Sequence, residues 1–325
     1  MYGYNDLKEN LSITTTEIDC PVKDCNHKVA RRQKKELRLP VTFQCPNHKI
    51  YVYPSAFIYE KPHDNLLWID IDDDKRLNEI SKVKRESRIE SNNSEDAVSW
   101  NVFRYLERNN LLSDYLSDLI GKPIKYSELI LWSYSPNEKS QWSWLNKARI
   151  EFVETIKQGS EPDIIVITDI GLFFIEAKVL SGNKTSGTGE ALEKHKTSSK
   201  KYVSGGGNWF SKVFRSKYED VVEDQKYELM RFWLLGTWIA DKMNLDFYLY
   251  NLVLEGREGT IAKDFGAHII ATGQRKFDRT RWEDIYSFVI KTSLTNSDTV
   301  KVLEYFTNKT KGYNSNGVLQ KAFSI

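Results

Sequence analysis

The stretch SEPDIIVITDIGLFFIEAKV, Ser160 to Val179, decides the centre of the fold. Its two apolar runs are rich in β-branched and aromatic residues and are separated by "DIG", which predicts a β-hairpin. Both runs are apolar on both faces, as expected for central strands covered by helices on each side. Charged residues nevertheless interrupt this pattern, because Asp163 begins the first run and Glu176 and Lys178 lie within the second.

The hairpin predicts that these three charges share one face of a sheet. With a turn over residues 168–171, Asp163 stands opposite Glu176, and directly opposed residues have Cβ atoms about 5 Å apart. Lys178 follows Glu176 by two residues and therefore projects from the same face. Two buried carboxylates repel each other, whereas a shared Mg²⁺ ion would stabilise them and could activate a water or polarise a phosphoryl oxygen. A structural ion-pair network is the alternative interpretation.

The composition is that of a folded protein without a membrane segment. The chain has 325 residues, 40% of them hydrophobic, and a formal net charge of +2, so the charge balance neither requires nor excludes nucleic acid. No run approaches the ~18 apolar residues that a spanning helix needs, and the first residues lack a signal-peptide pattern. We therefore expect a soluble cytoplasmic protein with no membrane partner.

The three cysteines are spaced as in a zinc site. Cys20 and Cys25 lie in "CPVKDC", and after nineteen intervening residues Cys45 and His48 lie in "CPNH". Two close pairs joined by a loop can present four ligands to one tetrahedral Zn²⁺ ion. His27 is an alternative fourth ligand, and three reduced cysteines that merely pack are the alternative to a metal site.

The zinc knuckles predict a small N-terminal ribbon over residues 1–59. Between them, "KVARRQKKELR" (residues 28–38) carries six basic residues and one acid, so it is either a phosphate-binding fingertip or a solvated loop. "KIYVYPSAFIY" predicts a strand that completes the ribbon near Tyr59. Residues 60–93, which include the acidic cluster "DIDDD", are polar and predict a charged linker, and residues 94–325 form the main domain.

A helix is predicted in "NNSEDAVSWNVFRYLERNNLL", with Asn93 or Ser94 as its N-cap. At 100° per residue, Glu95 falls in the middle of the apolar stripe of this helix. A carboxylate that faces the core is costly unless a cation or hydrogen-bond donors meet it. Periodicity alone leaves two interpretations open, a functional acid and a frayed first-turn residue that interacts only with the helix dipole.

The remaining patterns predict an alternation of strands and helices around a long loop. The loop is the Gly-, Ser- and Lys-rich segment after Val179, and a buried helix follows it. The further predictions are a strand at "ELILWSY", a helix from "SWLNKARIEF" to Gly159, the buried helix at "EDQKYELMRFWLLGTWIADKM", strands at "FYLYNLVLE" and "AHIIAT", and helices from about Arg281 and from Ser297.

Three elements of the chain resemble the PD-(D/E)xK nuclease superfamily. "PDIIVITDIGLFFIEAK" resembles its signature, with Pro162 and Asp163, twelve residues, and then Glu176, Ala177 and Lys178. "SEDAVSWNVFRYLE" resembles the first core helix of restriction-endonuclease-like members, and the two zinc knuckles resemble the N-terminal ribbon of a prokaryotic branch. The three elements occur in the same order and cover most of residues 18–255.

The resemblance implies an α/β fold of the restriction-endonuclease type, in which helices flank a central mixed sheet that follows the zinc ribbon. It also implies a site, which favours the functional interpretation of Glu95. Lys178 would orient the nucleophilic water, and the Mg²⁺ or Mn²⁺ ligands would be Glu95, Asp163, Glu176 and the backbone carbonyl of Ala177. The substrate contacts would be Gln225 and Tyr227, with Arg231 as an alternative.

The activity implied by the resemblance is metal-dependent endonucleolytic hydrolysis of phosphodiester bonds, with DNA favoured over RNA. Restriction or antiphage defence is the expected role, and the resemblance is compatible with a partner subunit and with a homodimer. The alternative function is a nucleic-acid-binding module with an inactive nuclease-like core.

Overall fold

The computed structural model describes residues 1–31, 40–84, 88–156, 159–184, 190–197 and 199–325. The chain divides into two compact units. The first unit comprises Met1–Asp70, Ser87–Tyr105 and Trp282–Ile325, and the second comprises Ile71–Glu86 and Leu106–Arg281. The C-terminal residues therefore belong to the same unit as the cysteines.

Strands and helices occur mostly in runs along the chain. The strands are β1 Glu17–Asp19, β2 Lys28–Ala30, β3 Gln44–Cys45, β4 Ile50–Val52, β5 Phe57–Tyr59, β6 Ser127–Leu131, β7 Tyr134–Ser135, β8 Ser140–Gln141, β9 Ile164–Thr168, β10 Gly171–Ala177, β11 Asp246–Val253, β12 Arg275–Arg281, β13 Thr310–Tyr313 and β14 Leu319–Lys321. The helices are α1 Ile71–Val83, α2 Glu95–Arg108, α3 Leu112–Ile120, α4 Ser143–Glu151, α5 Glu190–Thr197, α6 Ser199–Asn208, α7 Phe210–Val213, α8 Tyr218–Glu223, α9 Tyr227–Met243, α10 Ile261–Gly266, α11 Trp282–Lys291 and α12 Ser297–Asn308.

The second unit is built on a seven-stranded sheet with the order β12-β11-β10-β9-β6-β7-β8. β10, β11 and β12 are parallel, and the remaining neighbours are antiparallel. This confirms the predicted mixed sheet with flanking helices. β9 and β10 form the predicted central hairpin, and Ile164 pairs with Ile175. The next pair in this register is Asp163 and Glu176, as the sequence predicts.

Helix α9 covers one face of this sheet and contacts β10 and β11. Leu172 and Phe174 of β10 and Phe247 of β11 belong to the same buried apolar cluster as Trp233 of α9. The helix approaches closely because it carries a glycine at the contact. A Cβ atom at Gly236 would lie 2.1 Å from the ring of Phe247.

The first unit contains the ribbon and the C-terminal hairpin. β3, β4 and β5 form a three-stranded antiparallel sheet, so "KIYVYPSAFIY" makes two strands rather than the predicted one. β13 and β14 pair with each other, and Tyr313 joins the apolar core that contains Cys20 and Cys45. The hydroxyl of Tyr313 also donates to the carbonyl of Lys8 at 2.9 Å. The C-terminal strands thereby complete the core around the cysteines.

The charged segment at residues 60–93 contains helix α1, which the sequence did not predict. Its acids Asp72, Asp73 and Asp74 lie in the first helical turn, where the helix dipole favours negative charge. Asp73 is fully buried and accepts a hydrogen bond from Arg108 at 2.8 Å. Asp73 is thus buried and paired, whereas Asp72 is exposed and Asp74 is half-buried.

Three further sequence predictions are wrong. The helix expected to reach Gly159 ends at Glu151, and the long loop expected after Val179 contains α5 and α6. α6 is held by Tyr202, which is buried and donates its hydroxyl to Glu154 at 2.7 Å. "AHIIAT" forms only isolated bridges, and the polar segment β12 takes the edge position beside β11.

The other predicted helices and strands at the C-terminal side agree with the structure. β11 covers residues 247–253 of "FYLYNLVLE", and α11 and α12 begin at Trp282 and Ser297. Within the described ranges, no helix is long and apolar enough to cross a membrane.

Candidate functional site

The predicted acids and lysine come together at the end of the β9–β10 hairpin. Asp163 Oδ2 accepts a hydrogen bond from the backbone N–H of Ala177 at 2.9 Å. The ammonium of Lys178 forms an ion pair with Oε1 of Glu176. The hairpin register therefore fixes Asp163, Glu176 and Lys178 in one place, and we call these three residues the acid–lysine site.

Glu176 is the least solvated member of the acid–lysine site. It is 2% exposed, and its Oε2 atom is buried without a hydrogen-bond partner. Burial raises the pKa of Glu176 well above its ordinary value, and the charge of Asp163 raises it further. An unsatisfied buried carboxylate oxygen next to a second carboxylate fits a hard divalent cation, which prefers oxygen ligands.

The acid–lysine site offers two carboxylates rather than a closed cage. Among the described residues, only the cysteine–histidine cluster places three or more candidate ligand atoms within 4.8 Å of one another. Mg²⁺ usually takes one or two carboxylates from a protein and keeps several waters. Asp163 and Glu176 therefore fit Mg²⁺ or Mn²⁺ as ligands, and the carbonyl of Ala177 is the further ligand that the sequence resemblance implies.

Helix α9 adds an acid that the sequence did not single out. Glu228 lies in the first turn of α9, and its Oε2 atom is 3.5 Å from Nζ of Lys178. Burial alone would lower the pKa of Lys178, but Glu176, Asp163 and Glu228 outweigh burial and raise it. The sequence signal that could have identified Glu228 is its charge directly before the apolar run of α9.

Two of the predicted substrate contacts precede or begin α9. Gln225 lies just before the helix in the left-handed region, with φ of 59°, and is half-buried. Tyr227 is buried and donates its hydroxyl to Tyr202 at 3.3 Å. Its ring packs against the ring of His195 with centroids 3.9 Å apart. Tyr227 thus has a packing role, and its contact with substrate stays a prediction.

Arg231 lies one turn after Tyr227 on α9. Its guanidinium sits over the Tyr227 ring at 5.2 Å, and Nε is 3.9 Å from a carboxylate oxygen of Glu154. The side chain of Arg231 is 20% exposed. Among the three predicted substrate contacts, Arg231 is the one with a positive charge, and it lies in the first two turns of α9 together with Glu228.

Glu95 begins helix α2, and the N-cap is Ser94, whose hydroxyl accepts from the N–H of Ala97 at 3.1 Å. Glu95 is half-buried. It belongs to the first unit, whereas the acid–lysine site belongs to the second. Its participation in metal binding stays a prediction.

The four predicted zinc ligands form a compact cluster in the first unit. All ligand atoms of Cys20, Cys25, Cys45 and His48 lie within 4.8 Å of one another. Nδ1 of His48 is 3.5 Å from the sulphurs of Cys20 and Cys45, and the sulphurs of Cys25 and Cys45 are 3.8 Å apart. A tetrahedral Zn²⁺ ion about 2.3 Å from each sulphur would separate two sulphurs by about 3.8 Å. The Cys₃His cluster could therefore hold a zinc ion.

The cluster also decides between the two histidines. His48 supplies the fourth ligand atom, whereas His27 is exposed and contributes its backbone carbonyl, which accepts from the N–H of Cys20 at 2.9 Å. Burial raises the pKa of the Cys20 thiol, and a bound cation would stabilise its thiolate form. Residues 32–38 of the predicted basic fingertip lie outside the described residues.

The chain was compared with protein-family models, with curated proteins and with solved structures. None of the three comparisons gave a match.

Proposed function

We propose that this chain is a divalent-metal-dependent nuclease of the PD-(D/E)xK type. The observation that carries the proposal is the buried Glu176, which has an unsatisfied oxygen, stands opposite Asp163 and forms an ion pair with Lys178. A protein that only binds nucleic acid has no need for buried carboxylates that repel each other. The central hairpin in a mixed sheet supports the restriction-endonuclease-like fold that the sequence resembles.

The proposed metal ligands are Asp163, Glu176 and the carbonyl of Ala177. When bound, a divalent cation supplies Lewis-acid polarisation of a phosphoryl oxygen and a lower pKa for a coordinated water. Lys178 has a separate task, since an ammonium between two carboxylates is a directional donor to oxygen. It would orient the attacking water and stabilise negative charge that develops on the phosphate.

The proposed substrate is DNA. Phosphate contacts from arginine supply affinity without reading sequence, and Arg231 on α9 is the predicted residue that best fits this task. The Arg231 guanidinium packs over the ring of Tyr227, which helps to position it. Restriction or antiphage defence, a partner subunit and a homodimer remain the roles and assemblies that the sequence resemblance favours.

A cleavage assay with several substrates tests the proposal. Purified protein is incubated with supercoiled plasmid, single-stranded DNA and single-stranded RNA, each with Mg²⁺, with Mn²⁺ and with chelator. We expect metal-dependent cleavage of DNA that the chelator abolishes. If the protein binds these nucleic acids but cleaves none of them under any condition, it is an inactive binding module and not a nuclease.

A further inference from the structure

Two buried asparagines lie beside the acid–lysine site. Asn251 of β11 is the direct partner of Glu176 in the parallel pairing of β10 and β11. Asn183 follows β10, and its Nδ2 atom donates to Oδ1 of Asn251 at 2.7 Å. Asn251 is 0% exposed and Asn183 is 1% exposed, so bulk water does not form hydrogen bonds with their remaining polar atoms.

The amide pair is only half satisfied. Nδ2 of Asn251 and Oδ1 of Asn183 are buried without a hydrogen-bond partner, as is Oε2 of Glu176. Reversing both amides would still leave one amide donor and one amide acceptor without a partner. A buried polar atom without a partner destabilises the fold, because it has lost its hydrogen bonds to water. The three residues are linked, because Asn251 pairs with Glu176 in register and is hydrogen-bonded to Asn183.

The sheet places Asn251 and Glu176 on the same face. Phe247 and Leu249 of β11 belong to the apolar cluster beneath α9, and side chains alternate along a strand. Asn251, two residues after Leu249, therefore continues the same face. Glu176 continues it likewise after Phe174 of β10. Neighbouring strands are about 4.8 Å apart, so the two side chains border each other.

The loop that carries Asn183 is anchored on both sides of the amide pair. The backbone N–H of Asn183 donates to Glu258 Oε1 at 3.2 Å. Arg257 donates to the carbonyl of Leu180 at 2.5 Å. These contacts join the segment after β10 to the turn after β11, so the amides are held in place.

We propose that Asn251 and Asn183 extend the metal site and bind water molecules in the hydration shell of the cation held by Glu176. The inference rests on the proposed function. A coordinated water is a hydrogen-bond donor, which suits Oδ1 of Asn183, whereas Nδ2 of Asn251 suits a carboxylate or water oxygen. Mg²⁺ keeps several waters and so needs such partners, which typically contribute about 10- to 100-fold in metal affinity.

The proposal is tested by the Mg²⁺ affinity of two Asn251 variants. The affinity is measured by titration calorimetry and by the Mg²⁺-induced rise in Tm. Asn251→Leu keeps the size but removes the hydrogen bonds, and we expect Mg²⁺ to bind at least about tenfold more weakly. Asn251→Asp adds a negative charge, and we expect tighter binding than in wild type. Asn183→Leu should behave as Asn251→Leu does, and it serves if that variant does not fold.

Thr237→Val is the matched control, because Thr237 is a buried polar residue of α9 whose hydroxyl donates to Trp233 at 2.7 Å. It should lower Tm equally with and without Mg²⁺ and leave the affinity unchanged. If Asn251→Leu, Asn183→Leu and Asn251→Asp all bind Mg²⁺ with wild-type affinity, the inference is overturned and the proposed function still stands. A wild-type protein that binds neither Mg²⁺ nor Mn²⁺ would overturn both.

Discussion

Glu228 and Lys178 join helix α9 to the end of the β9–β10 hairpin, with Glu228 Oε2 at 3.5 Å from Lys178 Nζ. Lys178 also contacts Glu176, so one ammonium bridges a strand carboxylate and a helix carboxylate. The two contacts orient the lysine from two directions. If a cation binds to Glu176, Lys178 keeps its contact with Glu228.

Glu228→Gln keeps the size of the side chain and removes its charge. We expect kcat for DNA cleavage to fall about tenfold, because Lys178 is less firmly oriented. Tm should change little, since the Glu228 side chain is 36% exposed. Glu219→Gln, an exposed first-turn acid of α8, is the control and should keep wild-type kcat. An unchanged kcat in Glu228→Gln would remove Glu228 from the site.

The Cys₃His cluster predicts about one zinc ion per chain by elemental analysis. Cys45→Ser removes one ligand, so we expect loss of zinc and a free energy of unfolding lower by several kcal/mol. His27→Ala is the matched control and should retain zinc, because its side chain lies outside the cluster. Zinc at the wild-type level in Cys45→Ser would contradict the proposed ligand set.

Lys309 predicts a pH dependence of stability in the first unit. It is 5% exposed, its amine donates to the carbonyl of Asn92 at 2.6 Å, and burial lowers its pKa to about 7. An unfolded lysine titrates near 10.4, so between about pH 7 and about pH 10 the unfolded chain binds the extra proton. Stability from this group is therefore lowest below pH 7 and rises with pH.

Chemical unfolding of wild type and Lys309→Met between pH 7 and 9 measures this effect. The free energy of unfolding should rise more steeply with pH in wild type, by up to about 1.4 kcal/mol per pH unit. Lys301→Met removes an exposed lysine of α12 and should keep the wild-type slope. Equal slopes in wild type and Lys309→Met would show that the buried amine does not titrate in this range.

Arg231→Ala tests the proposed phosphate contact. We expect a higher KM for DNA and a slope of log affinity against log salt that is smaller by about one, since about one counterion fewer is released. Arg215→Ala, at an exposed arginine before α8, is the control and should keep the wild-type salt slope. If Arg231→Ala binds DNA with the wild-type salt slope, Arg231 does not contact phosphate.

The hairpin and the cysteine cluster were predictable because their determinants are local in sequence. The turn "DIG" and the apolar runs fix the pairing that sets Asp163 opposite Glu176. The short spacings Cys20–Cys25 and Cys45–His48 fix which ligands meet. In both cases the geometry follows from a few neighbouring residues, so periodicity and spacing suffice.

Other features depend on contacts between distant segments. Glu228 meets Lys178 only because α9 packs on the sheet fifty residues after the hairpin. Asn251 was visible as a polar residue in an apolar strand, but its place beside Glu176 requires the parallel pairing of β10 and β11. β12 has a polar sequence because it is an edge strand. Its place in the sheet comes from backbone pairing with β11, which the side-chain pattern does not reveal.

Lys178→Ala tests the central claim most directly. The measurement is the single-turnover rate of plasmid cleavage in Mg²⁺, compared with wild type at equal folded concentration checked by Tm. We predict rapid cleavage by wild type and a rate at least about 100-fold lower in Lys178→Ala, the usual range for loss of a group that transfers or positions a proton. Cleavage by Lys178→Ala at the wild-type rate, or no cleavage by wild type, would contradict the assignment of the acid–lysine site as a nuclease centre.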